Sequence, residues 1–158
     1  MNIPEHYESD VLYFFDGKPL EISLYKALFR RMEMEFPDAS VKVQKSQISF
    51  YSRHLFGAAS LPVRRKKSWP EHCIVVTIGL SHQLESPRVA VAVEPYPGRW
   101  THHVLISDEE QIDSELLGWL REAYEFAESK RLGLPYEHIH HQRTSGGQAF
   151  HCLHAEQM

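Results

Sequence analysis

The sequence predicts an α+β fold: a two-layer sandwich in which an antiparallel sheet of about five or six strands carries two helices on one face. Three observations lead there. A helix-like segment comes early, a run of strand-like segments fills the middle, and a second helix-like segment follows. That order favours an antiparallel sheet with helices gathered on one side over alternating βα units. Each helical segment also carries a single apolar stripe, so both fit the same sheet face.

The first helix is expected over 19–35. Pro19 suits its first turn, where a missing N–H is not needed. Leu24, Leu28 and Met32 recur every four residues with Ala27 beside them. Before this helix, VLYFFDGKP reads as apolar and then turn-like, with Phe14 and Phe15 tucked against the helix. FPDAS (36–40) turns the chain. VKVQK (41–45) and QISFYSR (47–53) flank a short turn and read as a hairpin. FGAASLP (56–62), HCIVVTIGL (72–80), RVAVAVE (88–94) and RWTHHVLI (99–106) supply four more strands, with PYPG (95–98) as a turn. Ser107 and Glu110 fit a capping box for a first turn. The second helix then runs from Asp113 or Ser114 to about Lys130. Its stripe is Leu116, Leu120, Ala123, Tyr124 and Ala127, and Gly133 and Pro135 stop it.

The 158 residues, 42% hydrophobic and 24% charged, suffice for one core-bearing domain over 1–131, followed by a His-rich tail over 132–158. The net charge of −4 argues against a nucleic-acid coat, and Arg64-Arg65-Lys66-Lys67 reads as a solvated loop. Cys73 and Cys152 form no CxxC and no disulfide framework, which points to a reducing, intracellular setting. No secretory signal opens the chain, and no apolar run approaches the ~20 residues of a membrane span. The expectation is a cytoplasmic protein without a membrane partner.

PGRWTHH (97–103) draws attention because it sets an arginine, a tryptophan and two histidines after a turn. Strand alternation divides it. Trp100, His102, Val104 and Ile106 share the apolar face and should meet the helices. Arg99, Thr101 and His103 share the other. Two histidines on opposite faces cannot ligate one metal. The same alternation sends Ile48, Phe50, Ile74, Val76 and Ile78 to the core, against Leu24, Leu28, Leu120 and Tyr124. It collects Gln47, Tyr51, Arg53, Thr77, Arg99, Thr101 and His103 on an open polar face. Arg and Tyr are enriched in recognition patches. The ligand-binding candidates are therefore Lys45, Gln47, Tyr51, Arg53, Arg99 and His103. The competing interpretation is an ordinary solvated sheet face.

GxSxG, HExxH, GxGxxG and P-loop patterns are missing. Asp108, Glu109, Glu110 and Asp113 stand at helix starts, where the macrodipole favours acids. No catalytic residue is nominated, and no cofactor is indicated. In the tail, His138, His140, His151, Cys152 and His154 are the ligand types of a zinc site, without matching any zinc spacing.

Several stretches resemble a family of small uncharacterised bacterial proteins that share a domain of unknown function. They are FFDGKPLEISLYKAL, VKVQKSQISFYSRHLFGAASLP, PGRWTHHVLI and WLREAYEFA, which together cover most of 13–127. The family pattern includes positions Lys45, Gln47, Phe50, Trp100, His102 and His103, and it supplies no reaction. Relatives are sometimes labelled predicted transport proteins, but this chain has no span to match. The helix–sheet–helix order is also similar to frataxin-like iron-handling proteins, in architecture alone. Glu33, Glu35 and Asp38 would be the acidic candidates on that analogy.

The sequence therefore favours a non-enzymatic binding or interaction domain, with its site on the polar sheet face and a mouth near Lys45 and Trp100. The partner would be a small molecule or a protein. A metal-binding protein, through the tail or an acidic surface, and an enzyme with dispersed catalytic groups are the alternatives.

Overall fold

A computed structural model describes residues 1–131. The tail, with the candidate metal ligands His138, His140, His151, Cys152 and His154, lies outside the described residues. Three helices and six strands follow in the order α1 (Tyr7–Phe14), α2 (Pro19–Glu35), β1 (Ser40–Val43), β2 (Ile48–Tyr51), β3 (Leu55–Ser60), β4 (Ile74–Leu80), β5 (Val89–Tyr96), β6 (Arg99–Ile106) and α3 (Ser114–Arg131). The sheet order is β1-β2-β3-β4-β6-β5, with every neighbouring pair antiparallel. This is the α+β class that the sequence predicts. β6 lies between β4 and β5, so the 81–88 connection must step across it.

The helix count differs from expectation. An additional helix, α1, ends within the segment expected to be apolar and turn-like, and it has Glu8 and Asp10 in its first turn, where the helix dipole favours acids. Phe15 then buries its ring 5.4 Å from that of Tyr25. Gly17, at φ 73°, makes the reversal into α2, a backbone state that other residues adopt only with strain. α2 starts at Pro19 and buries Leu24, Tyr25, Ala27, Leu28 and Met32.

One continuous core joins Leu24, Leu28 and Leu120 from the helices to Ile74, Val76 and Ile78 from β4, with Tyr124 packed at its margin. The expected strand–helix contact is thus present. A bulge between Phe50 and Tyr51 inserts Phe56, which packs against Phe36 and Tyr124 at ring separations of 5.2 and 5.1 Å. Next to it, Gly57 lets α3 approach: a Cβ there would stand 3.0 Å from a Leu120 methyl.

Element ends moved by a few residues. β5 continues through Pro95 and Tyr96, so the turn is Pro97-Gly98, with Gly98 at φ 76°. The capping box before α3 uses Asp108 and Gln111 on a short 3-10 turn, not Ser107 and Glu110. Asp113 caps α3 by accepting from the Leu116 N–H at 3.0 Å. Arg88 grips both Asp113 and Glu115 and donates to the Gln111 carbonyl, which ties the 81–88 connection to the start of α3. Among the described residues, no helix is long and apolar enough to cross a membrane.

Candidate functional site in the second sheet face

Cross-strand register builds the second face one row at a time. Lys42 pairs with Ser49, Ser49 with Ala58, Ala58 with Thr77, Thr77 with His103, and His103 with Val91. The row is polar at intervals and small at its centre. It is not open, however. Ser49, Thr77, Thr101, Gln47, Arg99 and His103 are all buried, which corrects the expectation of an accessible polar face. Small side chains explain part of this, because Ser49, Ala58 and Thr77 lie low between longer neighbours.

The six candidate residues do not converge. Lys45 is exposed in the β1–β2 turn and Arg53 in the β2–β3 turn. Gln47 donates to the Ser49 hydroxyl at 2.9 Å, and Ser49 donates to Gln44 at 2.6 Å, while the buried Gln47 Oε1 has no partner among the described residues. Tyr51 is half-buried, with the Lys42 ammonium 5.8 Å from its ring centre. Arg99 sets its guanidinium 4.5 Å from the centre of the Phe126 ring, a cation–π contact. β2 and β6 are three strand spacings apart, roughly 14 Å, so Gln47 and Tyr51 stand well away from His103. Trp100 pairs with Leu80 at one end of the sheet, and Lys45 follows Val43 at the other. They form no common mouth.

The two histidines occupy opposite faces, as alternation requires. His102 is fully buried. Its Nδ1–H donates to the Ile78 carbonyl at 3.2 Å, and its Nε2 accepts from the Leu84 N–H at 3.0 Å. Both nitrogens are satisfied by a neutral ring, and burial pushes its pKa below the usual histidine value. Trp100 lies against it, ring centres 6.5 Å apart. His103 places Nδ1 3.2 Å from the Thr77 hydroxyl. Burial, with a smaller contribution from His102, lowers its pKa to about 4. It too is neutral at physiological pH. Whichever way the Thr77 proton points, Nε2 is the nitrogen left without a partner among the described residues.

His103 lines a cavity of ≈ 230 Å³ between the sheet and the β3–β4 loop. Ser60, Val75 and Val91 share the sheet side with it, and Arg64 and Trp69 come from the loop. Such a composition, apolar walls with a few polar groups, is common in small-molecule sites, although this volume falls below their usual range of about 300–1,000 Å³. The loop is braced within itself and tied to α2 at its far end. Arg65 donates to the Glu71 carbonyl at 2.9 Å and to that of Pro70. His72 Nδ1 lies 3.0 Å from the buried Glu21 carboxylate on α2. Trp69 also borders a shallower hollow with Lys66 and Lys67. The basic run was expected to be only a solvated loop. The signal that could have shown otherwise is Trp69, a large aromatic residue within a charged stretch.

Among the described residues, no three His, Cys, Asp or Glu side chains are grouped to hold a metal. Glu33, Glu35 and Asp38 make no such group. Cys73 is buried, and burial raises its thiol pKa, which disfavours the thiolate.

No curated protein and no solved structure matches the chain, so the likeness to frataxin-like proteins rests on element order alone. A family model does match, over residues 13–127. That span covers everything from the end of α1 to most of α3, including the His103 cavity. The chain is therefore a member of the DUF5655 family, a domain of unknown function.

Proposed function

We propose that this chain is a non-enzymatic binding domain for a small molecule with an apolar body and one anionic end, seated against His103 beneath the β3–β4 loop. One observation carries the reading: a buried, neutral histidine lines a mainly apolar cavity with Nε2 unengaged and Arg64 on the cavity wall. Arg64 suits a carboxylate, since guanidinium donors match its two oxygens. Nε2 adds a second polar contact, and Trp69, Val75 and Val91 receive the apolar body. Lys45, Gln47, Tyr51 and Arg53 then lie outside the site and Arg99 supports the fold, so the recognition surface is narrower than the sequence suggests. A cytoplasmic setting fits Cys73, a free thiol.

The test is a thermal-shift screen of the full chain against small carboxylates such as benzoate and isovalerate, with their amides as controls. At least one acid should raise Tm, and its amide should not. Arg64→Gln and His103→Gln should each weaken that acid about tenfold or more. If no acid shifts Tm, or if both variants bind as the parent does, the reading fails.

A further inference from the structure

On the helix side of the sheet, away from His103, α1 and α2 enclose a groove of ≈ 400 Å³. Tyr7 and Val11 line it from α1, and Tyr25 and Phe29 from α2. Each pair is spaced four residues apart, so helical periodicity brings both pairs to facing stripes. The rings are close: Tyr7 and Phe29 have centres 4.9 Å apart, and Tyr25 and Phe29 6.1 Å. Glu8, Lys26, Arg30 and Glu33 stand around these rings. None of the four is in an ion pair among the described residues.

The Tyr7 and Tyr25 hydroxyl oxygens are 2.6 Å apart, and the residues are 8% and 1% exposed. Two hydroxyls carry two protons. One lies between the oxygens, whichever tyrosine donates. The other must point elsewhere, yet neither oxygen has a second partner among the described residues. A buried O–H without an acceptor is costly, so such groups normally find one.

We propose that this groove is a second ligand site, for a small aromatic molecule whose neutral carbonyl oxygen accepts the hydrogen bond that the Tyr7–Tyr25 pair has left to give. The volume falls in the range of small-molecule sites. The aromatic walls favour a flat ring, by offset or edge contacts. Two acids and two bases stand around the groove, so its rim carries no net formal charge, which suits an uncharged ligand. Burial raises both phenol pKa values well above the usual tyrosine range, and the donor stays protonated at physiological pH.

Acetophenone, a ring with one carbonyl, is the probe, titrated into the full chain and followed by amide NMR. Saturable shifts should appear along 7–14 and 25–33. Tyr7→Phe and Tyr25→Phe each leave one O–H, so each should bind within about threefold of the parent. The double variant leaves none and should lose about tenfold. Leu12→Trp, at the exposed rim of the groove, fills the mouth without touching the core and should abolish the shifts even if the double variant does not fold. Shifts confined to the His103 region, no shifts at all, or equal affinity in the folded double variant would overturn the proposal.

Discussion

His102 and His103 are consecutive, both buried and both held neutral, yet they stand in different chemical positions. On the helix-covered face, His102 has both nitrogens engaged by backbone groups. On the second face, His103 has one nitrogen engaged by a threonine and one bordering a cavity. The difference teaches that burial alone does not mark a structural residue. What separates the two is whether every hydrogen-bonding group has a partner. The helix face is complete in this sense around His102; the second face, at His103, is not.

The strongest way to break this comparison is to remove the rings one at a time. His102→Ala should cost about 2–4 kcal/mol, because it leaves a cavity and strands the Ile78 carbonyl and the Leu84 N–H. Urea denaturation measures the loss, and faster amide exchange at Leu84 should accompany it. His103→Ala should cost about 1–2 kcal/mol, since only Thr77 loses a partner. Equal losses from the two would erase the distinction.

A pH series sharpens it. His103 titrates near 4 in the folded chain, against about 6.5 when unfolded. Between those values the unfolded chain binds the extra proton, so stability falls as pH falls from about 6.5 toward 4. The contribution of His103 is up to about 3 kcal/mol. His102 is shifted in the same direction. His82, raised by its contact with Glu122, works the other way: its contribution is full below 6.5 and fades at higher pH. It is half exposed, so solvent screens it. Denaturation midpoints in His103→Gln should show a visibly flatter pH dependence than the parent.

Smaller effects test the edges of the second face. Thr77→Val keeps the side-chain shape and removes the hydroxyl from His103 Nδ1, which should cost about 1 kcal/mol. Lys45→Ala and Arg53→Ala, both on exposed turns, should change stability by no more than about 0.5 kcal/mol. They should also leave carboxylate binding unaltered, because neither lines the cavity. A binding loss in either would move the site toward the β1–β2 edge.

The helix-facing residues were legible because periodicity encodes burial directly. Leu24, Leu28, Ile74, Val76 and Ile78 follow from spacing alone, as does the division of His102 from His103. α1 was not legible: at eight residues it is short, and only Tyr7 and Val11 of it are buried, too few repeats to mark a helical stripe. The expected recognition face failed for a different reason. Alternation tells which side a residue faces, but not how far apart two residues on that side are. Gln47 and His103 share a face without sharing a neighbourhood, because strand order, and not chain order, sets the distance. Arg64 and Trp69 were missed since a loop has no period, and its path over the sheet depends on Arg65 bonding later residues of the loop and on His72 meeting Glu21 of α2.

The position of β6 between β4 and β5 also has a consequence during synthesis. Strands β1 to β4 can pair in sequence as each leaves the ribosome, but β5 has no partner in the sheet until β6 follows it. Until Arg99–Ile106 emerges, β4 presents the segment IVVTIGL as an unpaired edge. Such a strand, uncharged and rich in β-branched residues, is a template for association between chains. A chain ending just before Arg99 should therefore collect in aggregates, while one ending after α3 stays dispersed, a contrast that sedimentation of the two products reads directly. The stretch that holds both histidines is also the one that closes the sheet against its own copies.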